Sequence, residues 1–273
     1  MKPLRFLPLI LPALFSCSDM TGDLADTIGT KTHTVDSEAS RKCEADAAHG
    51  VPRAFFISRY ETTYELWWTV KEFALENGYA FKNPGTEGSG TSSAAPSLRK
   101  YMPVAQVSFR DCAAWCNAYS RMRGYGPVYF SDAECTAEYT DASSDAVPHA
   151  DLSQNGFRIP SEGEWLYAFR GGNPKDASWN FRYSGSDDAQ EVAVFSTGAA
   201  APAGTKKANA AGLFDMSGNV WELVTDAGGA FSGAKGGSFG SDEKALAWNY
   251  MKFGLAQDSA WSFIGFRTVR NAE

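Results

Sequence analysis

The sequence predicts an α+β domain of irregular outline, on three observations. Three helices can be placed by their start signals, each a hydroxyl side chain followed three residues later by an acid. The strand candidates are short, scattered and bounded by turn residues. Between them run long segments with neither a helical nor an alternating apolar period. At 273 residues, 44% of them hydrophobic and 21% charged, the chain is long enough for one large domain and apolar enough to bury a core.

In chain order, residues 1–16 read as an export signal: Lys2 and Arg5 are positive, Phe6 to Phe15 is apolar, and Ser16 is small. That apolar stretch is too short to span a hydrocarbon core about 30 Å thick. Leu14-Phe15-Ser16-Cys17 is similar to a bacterial lipobox, which makes Cys17 the acylated first residue of the mature protein. From Ser18 to Ala54 there is no aromatic residue, while Asp19, Asp23, Asp26, Asp36, Glu38, Glu44 and Asp46 accumulate. Such a stretch buries too little apolar surface to offset its ordering entropy, so residues 17–53 are expected to be an acylated, disordered stalk. The domain is expected over 54–273, with no second linker.

Its first strand is expected at Ala54 to Ile57. Thr62 with Glu65 forms a capping box ahead of Leu66, Val70, Phe73 and Ala74, and Asn77-Gly78 supplies the stop. A long loop is expected over Lys82 to Ser97 and a strand over Pro103 to Val107. Ser108 with Asp111 opens a second helix carrying Cys112, Trp115, Cys116 and Tyr119 on one face, before Gly124. A second long loop is expected over Asp141 to Asn155. Ser161 with Glu164 opens a third helix ending at Gly171-Gly172, and Phe263 to Val269 reads as the closing strand.

Composition narrows the chemistry. Against 32 acidic residues stand 25 Lys and Arg, for a net charge of -7, and no basic run exists to neutralise a row of phosphates, so no nucleic-acid partner is expected. Of three histidines, His33 and His49 fall in the expected stalk. His149 is then alone in the domain, which removes most histidine-based triads and metal sites. With Cys17 acylated, Cys43, Cys112, Cys116 and Cys135 remain. An even number in an exported chain permits disulfides in three connectivities, while the helical spacing of Cys112 and Cys116 favours buried thiols for at least one of them.

Five ordered motifs carry a resemblance. They are Phe55-Phe56-Ile57-Ser58-Arg59-Tyr60-Glu61-Thr62-Thr63; Met102-Pro103-Val104 with Val107-Ser108-Phe109; Gly156-Phe157-Arg158-Ile159-Pro160-Ser161-Glu162-Gly163-Glu164-Trp165; Gly212-Leu213-Phe214-Asp215-Met216-Ser217-Gly218-Asn219-Val220-Trp221-Glu222; and Gly236-Gly237-Ser238 with Gly265-Phe266-Arg267. In this order they resemble the formylglycine-generating, sulfatase-modifying family. The resemblance implies that family's variant of the C-type lectin-like fold. It also implies a structural calcium ion held by the Asp215 and Glu222 side chains and the Gly218 and Val220 carbonyls, all hard oxygen donors. The family's oxidases activate oxygen on copper held by a cysteine pair between the last two motifs. Residues 236–267 contain no cysteine, so soft Cu(I) lacks its thiolates and no catalytic residue or catalytic cofactor is expected.

That segment is instead rich in aromatic residues interleaved with small ones, the composition of recognition surfaces. Its expected ligand-binding residues are Phe239, Ser241, Trp248, Tyr250, Phe253, Trp261, Ser262 and Phe263, with Phe266 in the core. A lipobox, a stalk and a cysteine-free terminal segment together resemble the lipoproteins whose last segment is rewritten by a diversity-generating retroelement. The resemblance implies a monomeric, non-catalytic lipoprotein held in the bacterial outer membrane through its lipid anchor. It would face the cell surface and bind a protein or glycan through residues 236–267. The alternative is an exported oxidase of the same family.

Overall fold

The computed structural model describes residues 38–97, 101–248, 250 and 252–272. The expected signal segment, Cys17 and the expected stalk up to residue 37 lie outside the described residues.

The fold begins earlier than the sequence led us to expect. Strand β1 (Ser40–Cys43) pairs antiparallel with β2 (Phe55–Ser58), placing Cys43 opposite Phe55. Asp46 and Val51 exchange main-chain hydrogen bonds of 2.6 and 3.0 Å around a short 3-10 turn, and Cys43 and Val51 are buried. Residues 38–53 are therefore part of the domain, a correction to the expected stalk. Lack of aromatics marks low apolar area, but a strand added to a sheet edge draws on main-chain pairing as well. His49 consequently belongs to the fold, as His149 does. Its ring shares a 2.9 Å hydrogen bond with Asp46 and meets Trp179 edge-on at 5.0 Å.

Helix α1 (Tyr64–Glu76) is capped by Thr63, whose hydroxyl accepts from the Leu66 amide at 3.3 Å, not by Thr62 as the capping-box pattern suggested. The Thr62 main chain is spent elsewhere, donating to the Phe266 carbonyl and accepting from the Val104 amide, each at 2.8 Å. Two short strands, β3 (Thr86–Glu87) and β4 (Val104–Ala105), pair across the first long loop. Helix α2 (Phe109–Met122) carries the expected box: Ser108 Oγ accepts from the Asp111 amide and Asp111 accepts from the Ser108 amide. The free Asp111 oxygen also accepts from the Lys82 and Asn83 amides, so one carboxylate caps the helix and ties down the loop.

The second long loop carries β6 (His149–Ala150), which pairs with β5 (Tyr129–Phe130) ahead of the loop. Helix α3 (Glu162–Phe169) has the second expected capping box, from Ser161 and Glu164. A single turn, α4 (Ala189–Val192), follows. Strand β7 (Trp221–Thr225) then lies between β8 (Phe231–Lys235), antiparallel, and β9 (Ile264–Gly265), parallel. The last strand, β10 (Val269–Asn271), pairs with β2, so both ends of the domain meet in one sheet.

The expected closing strand Phe263 to Val269 is thus two strands in two sheets. At the break, Phe266 drives into the core edge-on to Trp67 and Trp115, whose stacked rings lie 5.8 Å apart. The four cysteines among the described residues, Cys43, Cys112, Cys116 and Cys135, are free thiols. Among the described residues, no helix is long and apolar enough to cross a membrane.

Candidate ligand-binding surface

Residues 236–267 leave the scaffold at one glycine motif and return at another, each glycine with a steric reason. Gly237 has φ +81°, a left-handed conformation, and a Cβ there would come within 2.7 Å of the Leu246 side chain. At Gly265 a Cβ would stand 2.5 Å from the Val104 carbonyl oxygen, which cannot retreat without moving β4.

Between these points the scaffold holds the segment largely by its main chain. Asn219 accepts from the Phe239 amide and Thr197 donates to its carbonyl, each at 2.7 Å. Lys235 Nζ donates to the Tyr250 carbonyl at 2.9 Å. Ala234 and Phe253 exchange two bonds, of 3.1 and 2.7 Å, extending the β8 edge. The Gln106 amide donates to the Trp261 carbonyl at 3.1 Å, and the Trp221 amide to that of Phe263 at 2.8 Å. Side-chain ties add to these, among them one from Tyr183 to the Glu243 carboxylate at 2.5 Å. Asp258 meets the Arg110 guanidinium at 2.7 Å, and Lys252 reaches Ser232 at 2.6 Å and Glu162 at 3.3 Å.

The eight residues expected to bind ligand occupy three neighbourhoods, and none of them is fully buried. Tyr250, Phe253, Trp261 and Phe263 form one cluster over Trp221, a buried residue the sequence reading passed over although it stands in the Asn219-Val220-Trp221-Glu222 motif. Trp221 stacks on Phe253 at 5.2 Å, and Phe253, Trp261 and Phe263 meet edge-on at 5.3 to 6.2 Å. Tyr250 remains 42% exposed and Trp261 44%, and Ser262 is exposed beside them. Trp248 lies elsewhere, on the Arg170 guanidinium at 4.5 Å, with Trp179 on Arg170 at 4.2 Å. Phe239 packs against Met102, Ala200 and Val220, and the Ser241 hydroxyl is taken by the Ser238 amide at 2.9 Å. Only the Trp221-centred cluster is a continuous aromatic surface.

The side chains of the calcium site implied by the resemblance, Asp215 and Glu222, are both buried. The Glu222 carboxylate closes on Arg267 through bonds of 2.6 and 2.7 Å and accepts from Trp165 Nε1 at 2.7 Å, with Glu222 and Arg267 both buried. A guanidinium thus balances the buried Glu222 charge. Asp215 accepts from the Gly204 amide at 2.6 Å, and the Val220 amide donates to Glu61 at 3.0 Å. Among the described residues, no group of three His, Cys, Asp or Glu side chains is placed to hold a metal ion. Glu61, quoted only as part of a motif, proves to be a buried organiser: its two oxygens hold the Asn219 side chain and the Val220 amide. Burial, and then the Asp215 and Glu222 carboxylates, push its pKa well above the ordinary value.

Burial also sets the state of three thiols. Cys112 and Cys116 are buried within α2, and burial raises both pKa values well above normal. Cys43 is pushed up to about 12, first by burial and then by Glu164 and Glu44. Thiolates, the copper-ligating form, are thereby disfavoured at all three.

The arrangement fits a known scaffold. The sulfatase-modifying factor enzyme 1-like domain matches residues 20–272. The chain belongs to that family. Over 191 residues it is 31% identical to the chaperone protein LppX of Paenibacillus barcinonensis, covering 62% of this chain and 60% of that protein. Over 195 residues it is 34% identical to the formylglycine-generating enzyme of Mycobacterium tuberculosis, covering 63% and 64%. The chain therefore spans less than two thirds of the length of either relative. Among solved structures, CarF superposes with a TM-score of 0.68 at 29% identity, covering 81% of this chain and 87% of that one. Treponema denticola variable protein 1 superposes with a TM-score of 0.63 at 21% identity, covering 92% and 99%, a likeness of fold. The family thus includes an enzyme and its scaffold a variable protein, so membership alone does not decide activity.

Proposed function

We propose that the protein is a non-catalytic lipoprotein that displays a macromolecule-binding surface outside the cell. Cys17 would carry the lipid, residues up to 37 would act as the tether, and the monomeric domain would present the Trp221-centred cluster to a protein or glycan. One observation carries this reading. The segment's outward rings, Tyr250 and Trp261, are held through their main chains; the Tyr250 ring leans on the scaffold's Trp221 and the Trp261 ring on Phe253 and Phe263 of the segment, while Phe266 and Arg267 close the core. A surface held through its backbone keeps its shape when its side chains change. That supports diversification of this segment by a retroelement, as the fold shared with a variable protein also does.

Two tests address it. In the source genome, a near-copy of the coding sequence for residues 239–263 beside a reverse transcriptase gene, differing mainly at adenines, is expected; its absence removes the diversification. Metabolic labelling with a fatty-acid analogue should mark the protein and be lost in Cys17→Ala.

The alternative, an exported oxidase, draws support from the 34% identity to a formylglycine-generating enzyme. Copper-loaded protein given a cysteine-containing peptide should consume no oxygen above a protein-free control; turnover would replace the binding reading with the catalytic one.

A further inference from the structure

A cavity of about 330 Å³ opens between the turn at residues 50–53, the loop at 151–154 and the start of α3. It is built by residues other than the aromatic cluster, and its volume falls in the range of small-molecule sites.

Its apolar walls come from Pro52, Leu152 and Ala227, and its charged groups are Arg53, Arg158 and Glu164. Arg158 and Glu164 form a two-bond ion pair at 2.6 and 2.7 Å, with side chains only 6% and 10% exposed. Arg158 Nη2 also donates to Asn271 at 3.1 Å, whereas its Nε is a buried donor with no acceptor among the described residues. Burial alone would raise the Glu164 pKa, but bonding and charge from Arg158, with Ser161 added, hold it below the ordinary value. The pair is therefore neutral in sum.

Arg53 is different. It is exposed and makes one long bond, 3.4 Å, to the Leu152 carbonyl, leaving most of its fork uncommitted. The neighbouring acids do not reach it. Asp151 accepts from Ser153 and Gln154, and Asp226 from the Gly228 and Ala230 amides. The cavity thus offers one uncommitted cation beside a neutral buried ion pair, with apolar walls between.

We propose that this cavity binds a small organic monocarboxylate, its carboxylate on the Arg53 fork and its apolar body against Pro52, Leu152 and Ala227. The planar fork of an arginine matches a carboxylate bidentately, and such charge-assisted bonds are the stronger kind.

Phenylacetate and phenylacetamide share shape and differ in charge, so titrating each into the intact protein separates the charge from the fit. Nitrogen-15 spectra of the arginine Nε groups report on Arg53 and Arg158 individually, and the melting temperature reports on binding to the folded state. Phenylacetate should give saturable shifts at both arginines and raise the melting temperature, with the amide weaker by about tenfold or more. Arg53→Ala should melt like the parent yet lose the phenylacetate response, and Arg53→Lys should keep part of it. The proposal is overturned if millimolar phenylacetate gives no saturable shift, if the amide binds equally, or if Arg53→Ala responds as the parent does.

Discussion

Trp261 and Phe266 lie a few residues apart in one aromatic-rich stretch, yet they meet opposite fates. Phe266 is wholly buried, its carbonyl held by Thr62 and its ring set between Trp67 and Trp115. Trp261 is tied by its carbonyl to Gln106, and its ring meets the Phe253 and Phe263 rings of its own segment. Rings that pack on helices drawn from distant parts of the chain become core. Rings that pack on one another above a main-chain framework stay available. Composition does not separate the two, because both are apolar and aromatic; the partner of the ring does.

The contrast can be broken at several points. The largest loss is expected from Arg267→Ala, which strips the buried Glu222 carboxylate of its counter-charge; breaking such a pair costs about 3–5 kcal/mol. Urea unfolding that left the midpoint unchanged would mean that the pair is not the keystone its geometry suggests. Phe266→Ala should cost about 3–4 kcal/mol, the range for emptying a buried aromatic site. A loss below about 1 kcal/mol, the level of surface substitutions, would place this ring with the segment rather than the core.

A smaller effect, and a signature in pH, is expected at Glu164. Its folded pKa is lowered, so its contribution is fully present above the unfolded carboxylate value near 4.3 and is lost as pH falls through the lower folded value. Glu164→Gln should cost about 1.5–3 kcal/mol at neutral pH, the worth of charged hydrogen bonds, and should flatten the acid limb of stability below about pH 4. Equal slopes in parent and variant would remove Glu164 from the acid response.

The smallest effects are expected at the exposed rings. Tyr250→Ala and Trp261→Ala should each change stability by less than about 0.5 kcal/mol, within a few degrees of the parent melting temperature. If either melts as early as Phe266→Ala, the cluster is core and the proposed binding surface fails.

Much of this was legible in the chain. The boxes at Ser108–Asp111 and Ser161–Glu164 start helices where the sequence placed them, since a cap is a local bond between neighbours. Thr62 misled because its main chain is claimed by Val104 and Phe266, partners no local pattern reveals. The stalk boundary failed for a related reason: Ser40 to Cys43 carries little apolar area and is ordered by pairing with β2. That Arg267, far along the chain, closes on Glu222 is likewise outside any local pattern.

The sequence alone determined the elements whose signals are short-range: two capped helices, the glycine gates at Gly237 and Gly265, and a terminal segment without cysteine. Tertiary structure decided which aromatics face out, how the charge on Glu222 is balanced, and that Arg158 and Arg53 share a cavity. Those outcomes depend on contacts between residues distant in the chain. Burial, counter-charge and hydrogen-bond satisfaction are properties of the folded neighbourhood rather than of any window of sequence.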